Sequence, residues 1–273
     1  MRTNQPLTQR AARSLLWVYS LAVLLFLLGP ILVIVPLSFS SGSFFYYPLP
    51  GLSLRWYADF FTSGNWLPTL WNSVVVGSCS TVLATVLGTL AAFGFWRTRF
   101  RGRAFVFALL LSPMVVPVII VGVGMYFAFA RVGLANSLFG LTLAHTALGV
   151  PFVLVTVSAA LASFDINLMR AAANLGASPI EAFFRVALPT LAPGIFSGAL
   201  FAFSISFDEV VIAMLLIGPD QRTLPRQMFS GINDNISLTI TAAATLLIAL
   251  AVVLLLALEW LRRRSLRLRG MLQ

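Results

Sequence analysis

The sequence predicts an all-α, polytopic membrane protein with six transmembrane helices. Three observations carry this. Hydrophobic residues make up 59% of the chain, and mean hydropathy is +0.96. Only 10% of residues are charged, against about 25% in ordinary soluble domains. The remaining charges cluster between apolar runs, each near the roughly 20 residues that cross about 30 Å of hydrocarbon. A single water-soluble core cannot hide that much apolar surface.

The spans follow in order. Arg2, Arg10 and Arg13 precede the first, over 15–37, which is too long for a cleaved signal peptide. A loop rich in Ser, Gly, Pro and aromatics comes next, and its Tyr57 to Phe61 stretch suits a short helix at the membrane interface. The second span covers 70–95 and is followed by the basic loop RTRFRGR. The third covers 105–130 and contains Pro113 and Pro117, which should kink it or delay its start. The fourth covers 141–161, the fifth 192–217 and the sixth 239–261, before a tail RRRSLRLRG. Gly77, Ser78, Gly88, Gly122 and Gly124 suit close helix packing, and Cys79 reads as one more small interface residue.

An even number of spans puts both termini on one side. That side carries 14 of the 18 basic residues, all arginine, and the other carries Arg55, Arg131, Arg222 and Arg226. The positive-inside rule therefore places both termini in the cytoplasm. The net charge of +10 is accounted for as an orientation signal, helped by anionic lipid, and not as a nucleic-acid surface. One cysteine and one histidine exclude a disulfide framework and argue against a metal site. No phosphate loop or catalytic triad spacing is present, so an enzyme is not expected.

The break in this pattern is the cytoplasmic segment 165–189, DINLMRAAANLGASPIEAFFRVALP. Asp165 suits an N-cap for a helix ending near Leu175. Gly176 suits the left-handed residue that stops it. Ser178, Pro179 and Glu181 spell a capping box with proline at the first helical position. Ala171 and Ala172 would let another surface approach the backbone, and Ile180, Phe183 and Phe184 are too apolar to stand in water. Two readings fit these residues: a hairpin resting on its own membrane face, and a handle gripped by a soluble partner.

The stretch RAAANLGASPIEAFFRVALPTLAPGI resembles the cytoplasmic signature of ABC importer permeases, E-A-A-x-x-x-G-A-S-x-x-x-x-F-x-x-V-x-L-P-x-x-x-P-G-I. Ala171, Ala172, Gly176, Ala177, Ser178, Phe183, Val186, Leu188, Pro189, Pro193, Gly194 and Ile195 stand at matching places. The resemblance implies the type I permease fold. It also implies a coupling segment that contacts an ATP-binding subunit through Arg170, Ala171, Ala172, Asn174, Leu175, Gly176, Ala177, Ser178 and Glu181. One departure stands out: Arg170 occupies the signature glutamate position. GTLAAFGFWRTRFRGR, LAHTALGVPFVLVTV and SFDEVVIAMLLIGPDQRTLPRQMFS resemble the spermidine/putrescine branch, in particular its second permease subunit.

Asp208 and Glu209 are adjacent acids in an apolar run, where a charge costs about 2.5–3.5 kcal/mol on insertion scales. Neighbours lie about 100° apart on a helix, so one of them is expected to face a pathway. A structural ion pair and the attraction of a cationic substrate both fit. Phe203 and Phe207, one turn apart, fit packing or an aromatic wall for amines. His145 reads as a helix-packing hydrogen bonder, and Glu259 with Arg262 and Arg263 as a charged interfacial end.

The expected whole is a non-catalytic permease subunit in a bacterial inner membrane, supplying half of the pathway for a small cationic solute such as a polyamine. It binds no cofactor or metal itself; ATP and Mg belong to two ATP-binding partner subunits. A second permease chain and an external binding protein complete the set. The alternatives are a permease for another small organic or amino-acid-like solute, and a stand-alone secondary transporter, which the absence of a strong internal repeat disfavours.

Overall fold

A computed structural model describes the backbone of residues 7–234 and 236–268, with side chains over 13–232, 236–257 and 259–260. Arg2 and the side chains of Arg10, Asp234 and the tail arginines lie outside that description. The described residues are helical throughout, apart from turns and one isolated bridge between Ser40 and Leu52. Five helices are long and apolar enough to cross a membrane, and a sharply bent pair makes a sixth if counted as one span.

Three of these form the centre: α3 (Trp66–Arg97), α6 (Leu138–Ala162) and α9 (Leu188–Asp208). They pack around Ala84, Ala92, Val153, Leu154, Val157 and Ala202, all buried. In lipid there is no hydrophobic drive to bring helices together, so association relies on close contact and small residues. Gly198 and Gly88 show how close. A Cβ on Gly198 would lie 2.9 Å from the Val153 Cα, and one on Gly88 would lie 2.7 Å from the Val153 Cβ.

Around this centre the chain departs from straight rods where proline dictates. α4 (Arg103–Val115) and α5 (Val118–Arg131) meet at 106°. Pro117 has no N–H to continue the helix, and it forces Val116 into an extended conformation with ψ 135°. The 105–130 run is thus a broken pair rather than a kinked rod. α7 (Ile166–Asn174) is followed by α8 (Pro179–Ala182), then by a π-helical turn, Phe183–Ala187, that leads without interruption into α9. In an α-helix the residue 189 amide would bond to Arg185, and proline cannot supply it; the ladder widens there, with Leu188 N–H donating to the Phe183 carbonyl.

The largest difference from expectation lies in 192–217. That run does not form one helix. α9 ends at Asp208, Glu209 is extended (ψ 121°), and a short helix α10 (Val211–Leu216) follows. The cause is a side chain and is taken up with the site.

α1 (Leu7–Ser38) stands at the edge against α12 (Thr239–Leu268), with its apolar run unburied up to Leu37. A small clasp at the α2 end of the bundle joins these elements. α2 (Arg55–Thr62) sinks Phe60 into a cluster with Trp66, Leu224 and Ile240. The Tyr57 hydroxyl bonds to Ser38 of α1 at 2.8 Å, and Asp59 accepts from the Thr239 hydroxyl of α12. The last element, α11 (Leu224–Asp234), is tied to α3 through Ser73, whose hydroxyl accepts the Leu224 N–H at 2.7 Å.

The close α6–α9 approach makes a direct test. Gly198→Val should destabilise the detergent-solubilised protein by about 1–3 kcal/mol through overpacking. Gly94→Ala, on a part of α3 where a new Cβ meets nothing within 4 Å, should keep or slightly raise the melting temperature. Thermal unfolding of both variants in one detergent checks the pair.

Candidate functional site

Two places gather the residues singled out by the sequence, and both lie on the continuous helix from Pro179 to Asp208. The first is the α7–α8 hairpin at its start. The Asp165 carboxylate accepts the Asn167 N–H at 2.9 Å and opens α7. Gly176 closes it with φ +87°, a conformation that L side chains rarely adopt. There the Gly176 N–H donates to Ala173 and the Ala177 N–H to Ala172. The Ser178 hydroxyl then accepts from the Glu181 N–H, and the Glu181 carboxylate accepts from the Ser178 N–H. These paired bonds set the second helix at a fixed angle.

Aromatic contacts seat the hairpin on the protein. Phe183 meets Phe93 edge-on at 5.0 Å, and Phe164 meets Trp96 at 5.7 Å. The opposite side is open: Leu175 at the tip is 89% exposed, and Ile180 and Phe184 are exposed too. Arg170, Ala171, Asn174, Gly176, Ser178 and Glu181 are exposed, with Ala172 and Ala177 half-buried between the helices. The hairpin therefore rests on its own chain by one face and offers an apolar tip with the other.

The second place is the joint between α9 and α10. Glu209 is buried, yet its carboxylate is fully engaged. One oxygen accepts from Val211 N–H at 2.9 Å and Ile212 N–H at 3.0 Å; the other accepts from Ile212 N–H at 2.9 Å and Ala213 N–H at 3.2 Å. These are the amides that a new helix leaves unpaired. His145 Nε2 approaches the same carboxylate at 3.6 Å. Its Nδ1 bonds to the Ser206 hydroxyl at 2.8 Å, and Ser80 of α3 donates to Ser206 at 2.9 Å. A buried polar chain thus runs across α3, α9, α6 and α10. It is self-consistent when the imidazole proton sits on Nε2, facing the acid.

At its other end, α10 meets Arg226 of α11, which donates to the carbonyls of Ile217 at 2.6 Å and Gly218 at 2.8 Å. Burial first, and then the neighbouring Arg222, pushes the Arg226 guanidinium below its ordinary value. It stays charged at neutral pH all the same. An acid at the N-terminal end and an arginine at the C-terminal end both oppose the dipole of the short helix.

Asp208 points elsewhere. It lines a cavity of about 460 Å³ between α9 and α12, whose walls include Phe203, Phe207, Leu247 and Leu254. Phe203 and Phe207 stack with ring centres 5.2 Å apart and 22° between planes, over Gly77. The two adjacent acids are therefore separated: Glu209 caps a helix, and Asp208 meets the cavity. Sequence reasoning missed Ser80 and Ser206, which carry no signal among apolar neighbours; Glu209 and the lone His145 were the visible parts of the network. Cys79 is exposed on α3.

A helical bundle with a capped, outward-facing hairpin and an apolar cavity holding one acid defines the membrane-embedded half of a transporter. Residues 84–267 match the family of binding-protein-dependent transport system inner membrane components, and the chain belongs to that family. It is 30% identical over 242 residues to the spermidine/putrescine transport system permease protein PotC of Escherichia coli K12, covering 89% of this chain and 91% of that protein. Over 230 residues it is 33% identical to the putrescine transport system permease protein PotI of the same strain, covering 82% of each. Among solved structures, its fold is similar to a bacterial ABC transporter that imports the acidic polysaccharide alginate (TM-score 0.72, 15% identity, 94% of this chain and 98% of that one). It is also similar to the MetNI methionine ABC transporter (TM-score 0.60, 20% identity, 72% and 94%).

The different duties of the two acids can be separated by experiment. Glu209→Ala leaves three buried amides without an acceptor and should cost about 2–3 kcal/mol. Asp208→Ala, at an exposed position, should stay within about 0.5 kcal/mol of the parent. Comparison of their thermal unfolding in detergent checks this.

Proposed function

We propose that this chain supplies half of the pathway of an ATP-driven importer for a polyamine or a related small organic cation. The observation that carries the substrate class is the single carboxylate, Asp208, set at a largely apolar cavity beside the stacked Phe203 and Phe207. The fold by itself does not choose a substrate; the lining does. A diamine has two ammonium ends joined by methylenes. Asp208 matches one end by charge, the aromatic faces favour a cation, and the leucine walls match the methylenes. The relatives named as spermidine/putrescine and putrescine permeases agree in substrate class with this lining. A permease for another small organic solute is the second reading.

The cavity is open on one side, which suits closure by a second permease chain, giving a heterodimer. Two ATP-binding subunits would bind ATP and Mg in the cytoplasm, and an external binding protein would deliver the solute. Both termini would lie in the cytoplasm of a bacterial cell. The segment 165–189 is the proposed contact with an ATP-binding subunit, through its exposed tip at Leu175 and the residues from Arg170 to Glu181. The capped hairpin is stiff and runs unbroken into α9, so displacement at the tip has a direct route to the helix that carries Asp208.

Two measurements on the complete transporter in proteoliposomes test the two halves of this proposal. Asp208→Asn should raise the KM for putrescine uptake at least tenfold, a loss of about 1.4 kcal/mol, while basal ATPase activity is kept. Unchanged uptake would remove Asp208 from the pathway. Gly176→Pro imposes φ near −65° where +87° is required and removes the bond to Ala173. It should abolish solute-stimulated ATPase activity with membrane insertion intact, and normal stimulation would exclude the docking role.

A further inference from the structure

The hairpin and the cytoplasmic end of α3 enclose a groove of about 300 Å³. Phe93, Trp96 and Met169 line it, Ala173 and Ala177 supply small walls, and two arginines share it: Arg97 at the last turn of α3 and Arg170 on α7. Neither guanidinium is salt-bridged among the described residues. Arg170 has one side-chain hydrogen bond, to the Asn167 amide oxygen at 3.3 Å. Arg97 faces the carbonyl end of α3, a mild attraction that leaves most of its five donors unused.

The two acids of the hairpin are already engaged. Asp165 caps α7, and Glu181 is divided between the Ser178 amide and Arg185 at 3.6 Å. Two like charges converging on one groove repel each other unless an anion lies between them. A planar carboxylate matches the fork of a guanidinium, and aromatic walls lower the local dielectric and strengthen such a pair. The groove is large enough for a side chain, and its mouth lies on the segment proposed to dock with the ATP-binding subunit.

We propose that the Arg97–Arg170 groove is an anion slot that receives an Asp or Glu side chain of the ATP-binding subunit. The inference rests on the docking reading of 165–189 and adds the charge of the contact. Arg170 replaces the signature glutamate, so the acid of this contact resides on the partner. The exposed Leu175 tip supplies apolar area, and the slot supplies register and partner choice, as charged contacts at interfaces generally do. A subunit bearing a basic residue at that point is excluded by repulsion.

The test uses the complete transporter in native membranes, with a photoreactive benzoylphenylalanine placed at Ala173 in the groove or at Leu175 on the tip. Both probes should crosslink to the ATP-binding subunit. The Ala173 product should map beside an acid whose change to arginine restores Arg170→Glu. Arg170→Glu alone should lose at least tenfold in solute-stimulated ATPase activity, and Arg170→Lys should retain part of it. Crosslinking from Leu175 but not from Ala173, or an Ala173 product with phospholipid, overturns the slot and leaves docking intact. A partner crosslink from Ala173 with no acid that rescues Arg170→Glu also overturns it. Failure of both probes to reach the ATP-binding subunit overturns the docking reading itself.

Discussion

A buried carboxylate is the constraint around which the α9–α10 end of the molecule is arranged. Glu209 lies among apolar helices, where an uncompensated charge would cost several kcal/mol. It is compensated by the amides of Val211, Ile212 and Ala213, with His145 alongside. Those amides are free to serve only because a helix begins there, and a helix can begin there only because the preceding one has ended. The break in the 192–217 run is the means by which the acid is accommodated. Arg226 holds the far end of α10, so the short helix is fixed at both termini without relying on its own marginal propensity.

The consequence reaches the cavity. With Glu209 turned into the bundle, the residue before it is turned out, and Asp208 meets the space between α9 and α12. Ser206, two residues before Asp208, is pulled the other way by His145 and Ser80. The cavity side of α9 is thus oriented by hydrogen bonds on its opposite side. At its start the same helix grows out of α8 through one π turn, so the hairpin and the acid occupy the two ends of a single 30-residue rod. About 1.5 Å of rise per residue sets them roughly 45 Å apart. α6 holds the middle of that rod at near-contact distance, through Gly198 on α9 and Gly149 on α6.

The sequence was most legible where local chemistry decides the backbone. The Asp165 cap, the Gly176 stop and the Ser178–Glu181 box are short-range devices, and each has the geometry its residues imply. Pro113 and Pro117 marked trouble in the third span, though a 106° bend exceeds what a kink suggests. Less legible was whatever depends on residues far apart in the chain. Nothing in SFDEVV says that a carboxylate will fold forward onto the amides two to four residues ahead instead of continuing the helix. Ser80 and Ser206 are 126 positions apart, and only packing brings them together. Arg97 and Arg170 lie on separate helices and line one groove only because Phe183 and Phe164 seat the hairpin on α3.

Why two adjacent acids sit at this position follows from what each accomplishes that the other cannot. A carboxylate turned into a cavity is held in place only by its backbone, since solute and water around it are mobile. A carboxylate turned into the bundle fixes backbone but is shielded from any solute. Placed side by side at a helix break, the inner acid sets the backbone from which the outer one projects. The fixed joint keeps Asp208 at one end of the stacked Phe203–Phe207 wall whatever the occupancy of the cavity. An asparagine at 208 would preserve that geometry and lose the charge; a glutamine at 209 would keep one acceptor and turn an NH₂ group toward amides that are themselves donors. The inner position thus tolerates chemical change less than the outer one, although the outer one is where a cation would bind.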